Sequence, residues 1–419
     1  MCEALSIHTM SISEKEAAVA PGAVSDTEKP QGLPMLALLA LATAVFITSL
    51  TETLPAGLLP AMSQDLGVSE SATGQTVTIY ALGTVLTAMP LAAATAGWRR
   101  KRLLMTAMAG FAVANTVTAV SEVYALTMAA RFVAGVAAGL AWALLAGYAR
   151  RMAPPHLQGK AIAIAMAGIP LALSLGVPAG TFLGKVISWQ AAFFTMTGLT
   201  VLLLVLIAAR VPDYPGQRAG GRTSMMGALK VPGVMPVLAV TLIFVLAHTI
   251  LYTFIATFLD SVEMGDSTDL VLLVFGVACL VSIWVVGAQI NHRLRGLMIA
   301  ATLLIAVAAA LLAVLADSPV LVYAAVVLWG LGWGGAPTLL QTAASDAGGA
   351  EQGDNAQAML VTLWNVAMAG GGIAGGVLLD AVGAGSFPWT ILVLLAPVLV
   401  IALAARNHGF PAKRAAVDS

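Results

Sequence analysis

Residues 124–151 read YALTMAARFVAGVAAGLAWALLAGYARR. Between Arg131 and the closing Arg150-Arg151 pair no charge interrupts the run, which approaches the roughly 20 apolar residues needed to cross a bilayer. Gly135 and Gly139 stand four residues apart on one helical face, the small-residue spacing that lets membrane helices approach closely. Segments of this length and character recur along most of the chain. Of 419 residues, 59% are hydrophobic and only 10% are charged, against about 25% charged in soluble domains. Too little polar surface remains to cover a globule of this mass. The composition excludes a soluble fold and predicts an all-α polytopic membrane protein.

The stretch also has a counterpart. Sliding the second half back by about 195 positions puts Gly330 and Gly334 on Gly135 and Gly139, Asp317 on Glu122, and Gly287 to Arg295 on Ala92 to Arg100. One further residue of offset puts Ala404-Ala405-Arg406 on Ala208-Ala209-Arg210. Agreement at separate places with so little drift marks an internal repeat. Helices are predicted at 34–61, 71–97, 102–120, 123–149, 158–186, 189–209, 235–259, 268–291, 296–316, 319–344, 355–382 and 387–406. That gives twelve transmembrane helices in two parallel six-helix repeats. The organisation is a flexible tail (1–33), a first bundle (34–209), a linker (210–234), a second bundle (235–409) and a short tail (410–419).

Lys and Arg flanking a span resist translocation, so their placement sets the orientation. Arg99 to Arg102, Arg150, Arg151, Lys160, Arg210, Arg218, Arg222, Lys230, Arg293, Arg295 and Arg406 share one side with the N-terminal tail, and Lys413 and Arg414 follow there. The opposite loops carry Asp65, Glu70, Glu122, Asp260, Glu263, Asp266, Asp269 and Asp317, with Lys185 the one basic residue near them. Both termini are expected in the cytoplasm. Halves that each start and end on one side are parallel repeats, an architecture that secondary transporters use, with substrate held between the halves near the midplane.

Four stretches stand out: Thr51-Glu52 with Gly57 to Pro60 and then Gly74 to Gly83; Arg131-Phe132-Val133-Ala134-Gly135; Gly176-Val177-Pro178-Ala179-Gly180; and Ala247-His248 with Tyr252. Over about residues 34–406 they resemble the major facilitator superfamily, and within it the bacterial proton-coupled drug and sugar efflux branch: the second is similar to the family's RxxxG element, the third to its proline-glycine antiporter motif and the fourth to sugar-efflux members. The resemblance implies a twelve-helix fold, export of a small organic solute and residence in the bacterial inner membrane. There are departures. In the gating loop after the second helix, Ala92 and Ala96 replace the usual Gly and Asp, while Arg99, Arg100, Lys101 and Arg102 remain. The second copy, with Gly287, Asn291 and Arg293, keeps more of the pattern. Ala256 and Thr257 stand where the sugar-efflux members carry an acidic residue and a proline.

Glu52 is the one carboxylate predicted well inside a span. A charge at mid-membrane costs at least about 2.5 to 3.5 kcal/mol on insertion scales, so such a residue is a functional candidate by default. Low dielectric favours the neutral carboxyl and a neighbouring cation the charged one, which equips Glu52 for proton exchange. Arg131 is the matching deep cation. Counted at about 1.5 Å per residue from the outer helix ends, the two lie roughly 15 and 12 Å deep and share a layer, where they interact directly or through water. His248 lies almost opposite Glu52 in the repeat and is a candidate for substrate contact or for the proton. Tyr80, Trp142, Tyr252, Trp329, Gln341 and Asn365 offer stacking faces and hydrogen-bonding groups to an apolar pocket. Each alternative is bland: a packed neutral Glu, a structural or snorkelling Arg, a satisfied core His, and aromatics that pack or belt the interface.

Cys2 and Cys279 supply neither a disulfide framework nor a metal cluster. No phosphate loop, nucleophile elbow or HExxH helix appears in the spans, so hydrolysis-driven pumping and membrane enzymology have no residues to carry them. No cofactor and no nucleic-acid partner are expected; the partners are a small solute, protons and the lipid bilayer, and the chain is expected to act as a monomer. The leading expectation is a proton-coupled antiporter exporting a sugar-like or amphiphilic drug molecule. A symporter or facilitator for uptake, and a non-transporting membrane sensor or scaffold, stand as alternatives.

Overall fold

The protein is described by a computed structural model covering residues 32–216 and 225–411. The tails expected at 1–33 and 410–419 and the middle of the 210–234 linker fall largely outside those residues, together with Cys2, Arg218, Arg222, Lys413 and Arg414. Among the described residues every regular element is a helix.

The first half runs α1 (Met35–Thr53, continued as Pro55–Leu66), α2 (Glu70–Ala94), α3 (Arg100–Val120), α4 (Tyr124–Arg151), α5 (Pro155–Val186) and α6 (Trp189–Arg210). The second runs α7 (Val234–Thr253, continued as Ile255–Ser261), α8 and α9 on either side of a kink at Arg293 within Thr268–Val314, α10 (Pro319–Gly349), α11 (Glu351–Val382) and α12 (Ser386–Ala404). Among the described residues, ten segments are long and apolar enough to cross a membrane. Separating α8 from α9 and adding the 25-residue α2 gives the twelve. Ser69 and Ser188 cap α2 and α6, their hydroxyls accepting from Ala72 and Ala191 N–H at 3.1 and 3.2 Å. Gly67 (φ 63°) and Gly349 (φ 60°) adopt the left-handed conformation that ends α1 and turns α10 into α11.

Several of the predicted helices are broken, and proline explains most of the breaks. Pro55 has no N–H to offer the Thr51 carbonyl, so α1 is interrupted after Thr53 and Glu52 sits in the last turn before the break. Pro178 clashes with the carbonyl four residues back, at Ser174, and α5 answers with a π-helical stretch at Ala172–Gly176. In α10, Pro337 does the same to Trp333, and the chain makes a turn at Gly334 and Gly335. The loop expected at 345–354 is mostly helical. The α7 break at Phe254 has no proline; its ring wedges between Gly74 of α2 and Gly375 of α11.

The 195-residue repeat is visible in the packing. A β-carbon on Gly135 of α4 would overlap the Tyr80 carbonyl of α2, and one on Gly330 of α10 would lie 2.6 Å from the Phe275 carbonyl of α8. Tyr80 and Phe275 are themselves 195 positions apart. Backbone meets backbone at the same place in each half.

The halves meet along α2 against α11 and α5 against α8. The Gln75 amide donates to the Gly372 carbonyl (3.2 Å), the Thr78 hydroxyl to Ala369 (3.5 Å), the Thr257 hydroxyl to the Glu70 carboxylate and the Lys185 ammonium to the Asp266 carbonyl. Gly276 of α8 rests on the backbone of Ser174 at the π-helical stretch. These bonds place the seam toward the end of the molecule that bears the acidic loops.

Candidate functional site

Arg131 is fully buried on α4. Its Nε donates to the Thr76 carbonyl at 3.3 Å, its guanidinium sits 5.0 Å from the centroid of the buried Tyr80 ring, and Nη1 and Nη2 have no hydrogen-bond partner among the described residues. The Tyr80 hydroxyl donates to the Thr48 carbonyl at 3.2 Å, one helical turn before Glu52. The Tyr80 ring thus connects the guanidinium to the part of α1 that carries the carboxylate. Glu52 is half-buried and close enough to Arg131 for the charges to interact, yet no ion pair within 4.0 Å joins them among the described residues. Counting along the helices expects one shared layer; the two residues lie near each other without a direct bond. Beside them the Asn115 amide donates to the Thr51 hydroxyl at 3.2 Å.

The second half presents rings instead of charges. His248, on the buried stretch of α7, lies flat on Trp333 with centroids 3.4 Å apart and planes 6° apart. Trp329 Nε1 donates to His248 Nδ1 at 3.0 Å, so the neutral imidazole carries its proton on Nε2. Tyr252 stacks on His248 at 5.1 Å, Phe244 on Trp333 at 5.9 Å, and Phe275 closes the side against Trp329 at 4.6 Å. The Tyr252 hydroxyl is buried without a well-formed hydrogen bond and lies near Thr53 and Glu52 across the seam. Tyr252 thereby joins the two clusters.

The remaining expected residues divide. Asn365, 9% exposed, donates to the Val361 carbonyl within its own helix, while Trp364 beside it contacts Trp333 at 5.5 Å. Trp142 packs half-buried in the first bundle, and Gln341 is exposed with its carbonyl accepting from Gln357; neither is among the ring contacts of the His248 cluster. Gly176 and Gly180 press on Phe46, Leu50 and Leu54 of α1, with Pro178 buried between them. Gly287 faces open space, and Asn291 precedes the Arg293 kink. The sequence does not single out Trp333, Phe275, Phe244 or Trp364, because aromatics within an apolar run carry no mark that separates a ring cluster from an interfacial belt. Asp213 goes unmarked as well: it bonds Arg99 Nε and the Lys101 backbone N–H, which brings a carboxylate to the basic loop after α2.

Two pseudo-equivalent six-helix halves, a buried arginine near a membrane carboxylate and a ring cluster across the seam define a multi-pass membrane protein of the transporter class. The profile of the Major Facilitator Superfamily matches residues 41–369, and the chain belongs to that superfamily. A transcription regulatory protein of Pseudomonas aeruginosa, OpdE, is 29% identical over 388 residues, covering 88% of this chain and 94% of its own. A chloramphenicol efflux pump of Mycobacterium tuberculosis is 29% identical over 381 residues, covering 86% and 90%. Among solved structures, the nucleoside transporter NupG shares the fold with a TM-score of 0.69 at 14% identity, over 88% of this chain and 98% of that one.

Proposed function

We propose that the protein is a proton-coupled antiporter of the bacterial inner membrane, with both termini cytoplasmic, that exports a small organic solute, sugar-like or an amphiphilic drug, by alternating access. One observation carries the reading: the guanidinium of Arg131 is buried with both terminal nitrogens unpartnered among the described residues, while Glu52, near enough to feel its charge, forms no ion pair with it. A fixed structural ion pair would have closed that gap. If the spacing changes as the halves move, Glu52 alternates between a low-dielectric surrounding that favours the neutral carboxyl and the cation that favours release of its proton. The similarity to a chloramphenicol efflux pump supports export. His248 is assigned to solute contact, since a second proton would turn Nδ1 into a donor facing the Trp329 N–H. The protein acts as a monomer, without a cofactor, and is not an enzyme.

Glu52→Gln keeps the side-chain shape but cannot release a proton. The variant should reach the membrane in normal amount, bind solute, and lose pH-gradient-driven export in inverted vesicles. Export with an unchanged dependence on the gradient would remove Glu52 from coupling. The similarity to a protein named as a transcription regulator favours a second reading, a membrane sensor. That reading gains if no sugar, nucleoside or antibiotic moves faster in cells overproducing the wild type than in cells lacking it.

A further inference from the structure

Two grooves open on the outside of the helix bundle, and they differ in chemistry. One, about 430 Å³ between α8 and α10, is lined by Leu273, Val277, Val281, Val327 and their apolar neighbours alone. The other, about 570 Å³ between the start of α3 and α6, has Lys101 and Arg102 at the loop end and Met105, Thr106, Ala109 and Leu204 further along the helices. From Arg102 to Ala109 is about 10 Å along α3, the step from a headgroup to the first methylenes of an acyl chain. Trp98, 42% exposed, lies under the Arg102 guanidinium at 5.2 Å, where an interfacial indole belongs.

The cations at this end are under-compensated. Asp213 also lines the groove, but its carboxylate is taken by Arg99 and by the Lys101 backbone N–H. Desolvation pushes that carboxyl up, and the bonds and charges of Arg99 and Lys101 outweigh it, so Asp213 stays ionised below the usual carboxylate range. Lys101 spends one of three donors on the Ala208 carbonyl (2.7 Å), and no carboxylate lies within 4.0 Å of Arg102 among the described residues. An anion that also brings an apolar chain fits both the basic end and the apolar length of the groove.

We infer that this groove is a binding site for an anionic phospholipid, its phosphate held by Lys101 and Arg102 and its acyl chain laid along Met105, Ala109 and Leu204. The inference stands apart from any reading of transport. It is tested with the full-length protein in phosphatidylcholine nanodiscs carrying a bromine-labelled lipid, reading the Trp98 fluorescence as the difference between wild type and Trp98→Phe. Brominated phosphatidylglycerol should quench at a lower mole fraction than brominated phosphatidylcholine, and Arg102→Gln should narrow that preference by about fivefold, the contribution of one cation near an anionic headgroup. Arg102 is exposed, so Arg102→Gln folds as wild type does; Arg102→Lys should keep most of the preference. Equal quenching by the two lipids, or a preference untouched by Arg102→Gln, overturns the site. Inorganic phosphate at millimolar concentration should leave the quenching unchanged; if it displaces phosphatidylglycerol, the basic end binds free anions and the lipid is not its occupant.

Discussion

Arg131 holds an elementary charge at zero exposure with two nitrogens unpartnered among the described residues, which packing alone does not account for. Replacing it with alanine should impair transport more than folding. Arg131→Lys should rescue only in part, because a point charge cannot both donate to Thr76 and lie across the Tyr80 ring as a planar guanidinium does. Combined with Glu52→Gln in a double-mutant cycle, with solute binding measured on purified protein, the two changes should be non-additive. Strict additivity would mean that their proximity has no energetic content. Both residues were legible in the sequence, since a lone ion in an apolar run is costly wherever it ends up. Asp213 was not: its role depends on where the chain after α6 folds back, and residue 96 alone gives no hint of that.

The glycines act at the scale of the helix pair. Gly135→Ala should lower the melting temperature in detergent, with overpacking of this kind costing about 1 to 3 kcal/mol, because the Tyr80 carbonyl fills the place of the new methyl and, as backbone, cannot rotate aside. Gly198→Ala, on α6 with nothing within 4 Å of its β-carbon, should be neutral or slightly stabilising. Equal losses in the two would assign the effect to glycine in helices generally. The twelve elements were readable because each needs one long apolar run, and their pairing partly so, because spaced glycines announce a close approach. What stayed hidden was the form that the interruptions of α5 and α10 take: prolines mark where a ladder fails, as Pro170 and Pro178 do in α5, but whether it fails as a kink, a turn or a π-helical stretch depends on what packs alongside.

Orientation belongs to the whole molecule and tests the basic-loop asymmetry directly. In a Cys2→Ser background, where Cys279 is only 1% exposed, cysteines placed at Glu122 and Asp317 should react with an impermeant thiol reagent on intact cells. One at His156 should react only after permeabilisation, and labelling of His156→Cys from outside would invert the assignment. The seam carries a further consequence. Within each half, glycine contacts bring helices backbone to backbone; across the seam the halves share one apolar core, with Leu58, Leu59 and Val77 of the first half and Phe258, Leu272 and Phe275 of the second among its members, joined by hydrogen bonds such as Gln75 to Gly372 and Thr78 to Ala369 and by the contact of Gly276 with Ser174. Each such bond is worth about 1 kcal/mol net. Any separation of the halves also bares the apolar face they share, at about 25 cal/mol for each Å² that reaches water. The two halves are therefore laminated, glued over an oily face and tacked together at a few polar points.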